Sequence, residues 1–348
     1  MGATVAPVTM RTLAEKLGVS VTTVSNAYSK PDRLSPELRE QILATAKEVG
    51  YCGPSAAGRA LRSGRTDVCG FLFGGELADA FGDPYTTAFL AGLSESVERY
   101  GASVLLLRAP REGEETESQM LQRAAIDAIV TCSASADHPG TELLMQRGVR
   151  VVGAQRSADG DWVAVNDEKA GRLVGKHLAK LGHRRVTVVV PGEMPDEEPF
   201  EVAPEELRRV AGAFAAERFQ GLRERMPEAE LRIVCAGYRP KQAGRLAAGF
   251  ALDVQERPTA IVAMSDALAL GVWDAVRDRG LKPGRDISIA GFDDIPDAAS
   301  VGLTTIRQPT TDKGRLAGRL AMDPDYPQRQ ITLPIELVVR SSTGPAHQ

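Results

Sequence analysis

Two short helical segments separated by a three-residue turn that begins with a glycine lie near the start of this 348-residue chain, and they constrain its fold more than any other feature. The first segment spans about Met10 to Leu17 and stops at Gly18, and the hydroxyl of Ser20 can cap a second helix. This is the spacing of a helix-turn-helix. The outward face of the second helix carries small side chains that suit base edges in a DNA major groove, namely Val21, Thr22, Ser25 and Asn26.

A third helix is predicted after this pair, because Ser35 can cap it and Pro36 suits its first turn. This helix has one apolar face and ends at Gly50. The three helices together form a head over residues 1–53. A head this small has a thin core, and specific recognition of DNA needs a second head beside it. We therefore expect a homodimer.

The distribution of charge agrees with a DNA-binding head on an acidic body. Residues 1–65 contain nine Lys and Arg against five Asp and Glu, although the whole chain has a net charge of −4. A basic end attracts phosphate, whereas the acidic remainder repels polyanions. DNA contact is therefore expected at the N-terminal end.

Residues 54–65 form a short basic linker. The helix-breaking residues Cys52-Gly53-Pro54 mark where it begins. An isolated helix of this length is marginal in water. Two interpretations stay open: a linker that folds only when it is held against DNA, and a plain flexible tether.

From Val68 onward, apolar runs alternate with helical segments. Such runs are typical of strands buried on both faces, and their alternation with helices favours parallel sheets. The pattern restarts after residues 165–167, which predicts two α/β lobes, and the acidic stretch 191–204 predicts a surface loop. The predicted strands are Val68–Phe73, Ser103–Leu107, Ala128–Thr131, Val151–Ala154, Val186–Val190, Arg232–Ala236, Ala260–Met264 and Ile287–Phe292. The predicted helices include Thr86–Tyr100, Glu168–Leu181, Glu206–Arg225 and Ala267–Arg279.

Several kinds of chemistry find no support in the sequence. The four histidines lack a metal-ligand spacing, the four cysteines are scattered, and no G-x-S-x-G motif occurs, so we expect no metal, no cofactor and no enzymatic activity. The N-terminus has no signal segment and no apolar run reaches about eighteen residues, so we expect a cytoplasmic protein that does not contact membranes. Asp293 and Asp294 directly follow a strand, where they either hold a ligand or cap a turn.

Motifs along almost the whole chain resemble the LacI (lactose repressor) family. In the head these motifs are Val8–Ala14, Gly18–Ser20, Thr23–Ser25, Leu34–Ser35 and Gly50–Tyr51. In the body they are Leu181–Val186, Arg218–Leu222, Ser265–Gly271, Gly291–Asp294 and Leu303–Pro309.

The resemblance implies a periplasmic-binding-protein-like core over residues 66–348, in which two lobes are joined by three crossovers and hold a small effector, such as a sugar, between them. We expect crossovers near Val163–Asn166, Ile295–Ala298 and Met322–Asp325. Lobe one would then comprise about residues 66–163 and 298–322, and lobe two about residues 164–297 and 323–342. No leucine heptad follows Arg340, so the four-chain assembly of some members is not expected.

The same resemblance implies which residues contact a near-palindromic operator. They are Thr9, Met10, Ser20, Val21, Thr22, Thr23, Ser25, Asn26, Ser29, Ser35, Tyr51 and Leu61. Leu61 matches a hinge leucine that the family wedges into the minor groove, which kinks the duplex. This hinge departs from the family pattern, because one extra residue precedes Leu61 and Gly58 stands where alanine is usual.

Matching positions also imply an effector site made of Tyr85, Gln155, Arg218, Tyr238, Ser265 and Asp293. Gln155 replaces a common Asp and Ser265 a common Asn, which changes the hydrogen bonds offered to a sugar. The sequence thus predicts an α/β transcriptional regulator, a repressor, whose effector changes its affinity for DNA. A solute-binding protein shares the two-lobed body and is the alternative, but it would need an export signal and no basic head.

Overall fold

The computed structural model describes residues 8–54, 56–109, 115–132, 139–192, 198–237 and 239–347. Contacts divide the chain into two compact units, Met1–Asp67 and Val68–Gln348. Among the described residues, no helix combines the length and the apolar character needed to cross a membrane.

The first unit contains the predicted three-helix head, with helices α1 (Met10–Leu17), α2 (Val21–Ser29) and α3 (Pro36–Glu48). Each helix begins at a hydroxyl that accepts a hydrogen bond from the backbone N–H three residues later, and these caps are Thr9, Ser20 and Ser35. Gly18 ends α1 in the left-handed region with φ 64°, which a glycine adopts without strain. The buried core is Leu13, Ala14, Val24, Ala27, Ile42 and Ala46.

The linker also belongs to the first unit and contains helix α4 (Ala56–Ser63). Leu61 lies in this helix with 88% of its surface exposed. The linker is therefore helical in this structure, and folding that depends on DNA stays a prediction.

The second unit is built from two sheets. Among the described residues, eight strands match the predicted runs to within two residues at either end, and five strands of two to four residues were not predicted. The strands are β1 (Val68–Phe73), β2 (Ser103–Arg108), β3 (Ala128–Thr131), β4 (Arg150–Gly153), β5 (Asp161–Ala164), β6 (Arg185–Pro191), β7 (Phe200–Glu201), β8 (Glu230–Ala236), β9 (Ala260–Ala263), β10 (Ser288–Asp293), β11 (Thr304–Arg307), β12 (Gln330–Thr332) and β13 (Glu336–Val338). One sheet has the order β12-β5-β4-β3-β1-β2, and the other has the order β13-β11-β10-β9-β6-β8-β7. All pairs are parallel except those of β7 and β13 at the edges of the second sheet, so the prediction of parallel sheets is confirmed.

Helices cover these sheets and also agree with the predicted segments. They are α5 (Leu77–Gly82), α6 (Pro84–Arg99), α7 (Glu115–Arg123), α8 (Pro139–Gln146), α9 (Asp167–Lys180), α10 (Leu207–Arg225), α11 (Pro240–Leu252), α12 (Asp266–Asp278), α13 (Pro296–Val301) and α14 (Thr310–Met322). Strand β7 lies in the stretch predicted as a surface loop, of which residues 193–197 fall outside the described residues.

Two of the three predicted crossovers were placed wrongly. Strand β11 pairs with β10 in the second sheet, so the chain changes lobes at residues 308–309 rather than near 295–298. Strand β12 pairs with β5 in the first sheet, so the last change falls at residues 333–335 rather than at 322–325. The first crossover lies at residues 165–166, inside the predicted range. Residues 298–307 therefore belong to lobe two and residues 323–332 to lobe one.

The contact between α6 and α14 places the start of α14 in lobe one. Gly92 on α6 lies so close to α14 that a Cβ atom there would stand 1.9 Å from the carbonyl oxygen of Thr311. Gly314 makes the reciprocal approach, since its Cβ would stand 2.0 Å from the carbonyl oxygen of Phe89. Small residues at both positions thus allow the two helix backbones to touch.

We expect Gly92→Ala to lower the free energy of unfolding by about 2 kcal/mol or more, because the helices have to separate to admit a methyl group. Gly82→Ala is the matched control: a Cβ at Gly82 meets nothing within 4 Å, so its effect should stay under about 1 kcal/mol. Urea denaturation of both variants measures the difference. Equal stability of the two variants would contradict the close contact.

Candidate functional site

The solvent-facing side of α2 carries the short side chains that the sequence predicted. Val21 and Thr22 are exposed, whereas Ser25 and Asn26 are half-buried. The hydroxyl of Thr23 lies 2.8 Å from that of Ser20. This face therefore offers a methyl-rich surface with one amide, which suits contact with base edges.

The other predicted DNA contacts surround this face in two different environments. Thr9 and Ser35 are exposed caps of α1 and α3, and a capped helix start also presents backbone N–H groups that suit phosphates. The hydroxyl of Ser29 donates to the carbonyl oxygen of Ser25 at 2.8 Å.

Met10 and Tyr51, by contrast, pack against the core of the head. The ring of Tyr51 meets that of Tyr28 edge-on, with centroids 6.0 Å apart. These two side chains therefore support the fold of the head as well as contributing to its predicted DNA-binding surface.

A second group of predicted residues lies in the body, around Arg218 of α10. Its guanidinium donates to the carboxylate of Asp167 at 2.7 Å and to the carbonyl oxygen of Met264 at 2.6 Å. It also stacks on Phe292, with 4.4 Å between the guanidinium carbon and the ring centroid. Burial lowers the pKa of Arg218, but the carboxylates of Asp167 and Asp293 outweigh that effect and hold the pKa above its usual value.

Asp293 ends β10 and is buried beside this arginine. Its carboxylate accepts a hydrogen bond from Nε2 of Gln308 at 2.6 Å. Burial raises its pKa to about 7, although Arg218 lowers it. The backbone φ of Asp293 is 121°, a region that side-chain-bearing residues rarely adopt, and such strain concentrates at functional sites.

Tyr85 completes the cluster from the lobe-one side. Its hydroxyl accepts a hydrogen bond of 3.0 Å from Nζ of Lys313, which lies in α14 and is 5% exposed. Burial raises the pKa of Tyr85 well above its usual range, and burial lowers the pKa of Lys313. Asp293 acts on both groups, which ties the lobe-one pair to the lobe-two pair.

The remaining predicted effector residues have other positions. Ser265 caps α12, accepting from the N–H of Leu268 at 3.2 Å, and adjoins the carbonyl that Arg218 contacts. Gln155 lies in the turn two residues after β4 and is half-buried. Tyr238 lies outside the described residues. Among the six predicted residues, Tyr85, Arg218 and Asp293 thus come together.

Three buried members of the cluster were missed by the sequence reasoning: Asp167, Gln308 and Lys313. Asp167 follows β5 and Gln308 follows β11, at the carboxyl ends of parallel strands where ligands bind, but neither strand was predicted, so this rule was not applied to them. Lys313 lies within a helix, where a lone lysine is usually solvated, and the sequence gives no signal for its burial.

The cluster therefore combines two cations, carboxyl groups, an amide, a phenol and the faces of aromatic rings at the junction of the two lobes. Polar groups that converge in a buried apolar setting are typical of sites for small polar molecules. Side chains from both lobes contribute, so a molecule held there would contact both lobes at once.

Comparison with known proteins gives a consistent result. Residues 9–53 match the bacterial regulatory proteins of the lacI family, and residues 176–343 match the periplasmic binding protein-like domain. An HTH-type transcriptional regulator of Mycolicibacterium smegmatis is 35% identical over 330 residues, which cover 91% of this chain and 90% of that protein.

Two solved structures also resemble the chain over nearly its whole length. The crystal structure of a LacI-family transcriptional regulator from Corynebacterium glutamicum is 27% identical, covers 96% of this chain and 98% of its own, and gives a TM-score of 0.71. The lac repressor dimer bound to operator and the anti-inducer ONPF is 21% identical, covers 97% and 100%, and shares the fold with a TM-score of 0.73.

We expect the free energy of unfolding to fall between about pH 4 and about pH 7. The folded protein keeps a proton on Asp293 up to a pKa of about 7, whereas the usual carboxyl value is 3.8, so rising pH favours the unfolded chain. The decline from this group should be on the order of 1–3 kcal/mol. Asp293→Asn should flatten it in urea denaturation across this range.

The exposed Asp297→Asn in α13 is the matched control and should keep the wild-type slope. If both variants followed the wild-type pH dependence, Asp293 would not be the group that retains a proton in the folded protein.

Proposed function

Because this chain belongs to the LacI family of bacterial transcriptional regulators, we propose that it is a cytoplasmic homodimeric repressor that binds a near-palindromic operator. Its affinity for the operator would rise or fall when a small molecule binds between its two lobes. The observation that carries this proposal is the combination, in one chain, of a helix-turn-helix with an exposed reading face and a buried polar cluster shared between two lobes. The cluster would bind its ligand without turnover. A solute-binding protein would need the body and not the head.

The head supports duplex recognition by shape and by charge. Val21 and Thr22 are free to contact methyl groups and base edges, and Asn26 can pair with adenine through its amide. The capped starts of three helices and the basic linker supply phosphate contacts. Since these side chains are short, Leu61 of α4 would contribute much of the specificity by wedging into a central base step.

The body supports control by a ligand because the cluster spans a crossover. Gln308 belongs to the crossover at residues 308–309 and bonds Asp293 of lobe two, while Lys313 bonds Tyr85 of lobe one. A ligand that engages both pairs binds one arrangement of the lobes better than another, and so shifts the population between them. By linkage, operator DNA then changes the affinity for the ligand by the same factor. In the lac repressor structure, a dimer likewise holds operator and a small molecule together.

Selection from random duplexes tests the proposed function directly. We expect enrichment of one near-palindromic site, and the affinity for that site should fall by a factor on the order of a thousand between about 50 and about 200 mM salt, because several phosphate contacts per head release counterions. Electrophoretic mobility shifts and titrations at several salt concentrations measure both. Recovery of no preferred site, with binding that ignores salt, would refute the proposal.

Leu61→Ala should weaken binding to the selected site roughly tenfold or more, because a buried leucine wedge is worth about 1.5–3 kcal/mol. Dimerisation and ligand binding should be retained, since the side chain of Leu61 is 88% exposed and supports no core. Leu143→Ala in α8, 40% exposed, is the control and should bind operator as the wild type does. Equal operator affinity of both variants would contradict the wedge and would mean that α4 acts only as a tether.

A further inference from the structure

One ion pair among the described residues joins the two lobes, whereas the others of the body stay within a lobe. It links the carboxylate of Asp79 on α5 in lobe one to the guanidinium of Arg239, which precedes α11 in lobe two, with 3.8 Å between Oδ1 and Nε. The side chain of Asp79 is 28% exposed and that of Arg239 is 49% exposed, so the pair lies at the solvent edge of the lobe junction. Since α5 follows β1 and Arg239 follows β8, the pair connects the carboxyl edges of the two sheets.

The pair is incomplete at this separation. A distance of 3.8 Å allows electrostatic attraction but is too long for a hydrogen bond. The second carboxylate oxygen of Asp79, Oδ2, is buried and has no hydrogen-bond partner among the described residues, which is rare for a buried acceptor. A guanidinium carries five N–H donors in a fork that matches both oxygens of a carboxylate. The separation would have to shorten by about 1 Å for the two groups to reach the length of a charged hydrogen bond.

Each partner of this pair belongs to an element that is packed on its own lobe. On the lobe-one side, Ala80 of α5 is 2% exposed, and Glu76 just before α5 forms an ion pair of 3.9 Å with Arg108 of β2. On the lobe-two side, the carbonyl oxygen of Arg239 accepts a hydrogen bond of 2.8 Å from the N–H of Ala243 at the start of α11. The distance between the two charges therefore follows the distance between the lobes.

We propose that Asp79 and Arg239 form an electrostatic latch that holds the two lobes together when no ligand is bound. Parting of the lobes separates the two charges, whereas their approach completes the missing hydrogen bonds, so the pair favours the closed side of the equilibrium. Because both side chains are partly exposed, salt screens their attraction, and the lobes should part more readily as the ionic strength rises. The latch goes beyond the proposed function, since it requires only that the lobes move and involves neither operator nor effector.

Cys132 provides a probe of lobe opening that the chain already contains. It directly follows β3 in lobe one, is 6% exposed and belongs to the same apolar cluster as Tyr85. Burial raises the pKa of its thiol to about 12, and Asp293 of lobe two adds to that rise. An alkylating reagent therefore reacts with this thiol when the lobes part and water reaches it. Cys69 and Cys235 are fully buried within β1 and β8, so their alkylation reports unfolding of the lobes themselves.

The test is the rate of alkylation by iodoacetamide at each cysteine of the native full-length protein, measured by mass spectrometry at about 20 mM salt. Arg239→Gln should raise the rate at Cys132 about twofold to fivefold, the range expected for loss of a partly exposed ion pair, and leave the rate at Cys69 unchanged. Asp79→Asn should have the same effect, and the double variant should react no faster than either single variant, because both changes remove one interaction. At about 500 mM salt, the wild-type rate should approach that of the variants.

Arg245→Gln is the matched control, because Arg245 lies on the same helix α11 but pairs with Asp278 within lobe two. It should keep the wild-type rate at Cys132. Three results would overturn the latch: the same rate at Cys132 in wild type and both single variants, a parallel rise at Cys69, which means general loss of stability, and additive effects in the double variant. Since the test contains neither DNA nor ligand, its failure would leave the proposed operator binding intact, and failure of the operator selection would leave the latch intact.

Discussion

The ion pair between Arg218 and Asp167 is the interaction on which the body of this protein depends. A buried guanidinium is tolerated only where carboxylates and carbonyls satisfy it, and here the partners come from the start of α9 and the end of β9. The register of α9 against α10 sets that geometry. A Cβ at Gly171 would stand 1.9 Å from the carbonyl oxygen of Arg218, and one at Gly221 would stand 2.0 Å from that of Glu168. Two glycines thus bring the helices close enough for the charges to meet.

How far the sequence predicts this architecture depends on how local each signal is. Strands such as β1 and β6 were predictable because they are apolar on both faces, and a parallel sheet between helices demands that. Strand β11 has the sequence Thr-Thr-Ile-Arg, which reads as polar, yet Thr304 and Thr305 are fully buried by pairing with β10 and by hydrogen bonds to Ser342 and Asp266. Tertiary partners decided that strand, and the crossover that follows it lies at residues 308–309 rather than near residues 295–298.

The residues of the candidate site divide in the same way, into those that the sequence identifies and those that only tertiary packing reveals. Arg218, Asp293 and Tyr85 were found through resemblance: Arg218 and Asp293 lie within matching motifs, and Tyr85 was chosen by its position after the first strand. The burial of Lys313 was not predictable, because it depends on the approach of α14 to α6 across more than two hundred residues of sequence. A lysine becomes informative only when its surroundings are known, whereas a glycine before a capping serine, as at Gly18 and Ser20, is informative by itself.

The backbone at the end of β10, which carries Asp293, is strained, and hydrogen bonds from neighbouring side chains hold it in place. Asp293 and Asp294 both have positive φ, 121° and 57°. Asp294 accepts from Arg307 at 2.6 Å and from Arg340 at 2.7 Å. Although burial raises the pKa of Asp294, these hydrogen bonds outweigh it and lower the pKa. The carboxylate of Asp266 accepts from the N–H of Ile295 at 3.0 Å and so fixes the following turn.

These contacts tie the strained turn to β11, to the C-terminal segment and to the start of α12, so relaxing it would cost several interactions at once. Asp293 is thereby held against the crossover that joins the lobes. The proposed effector would therefore meet, at Asp293, a point of lobe two that several hydrogen bonds hold and that is bonded directly to Gln308 of the second crossover.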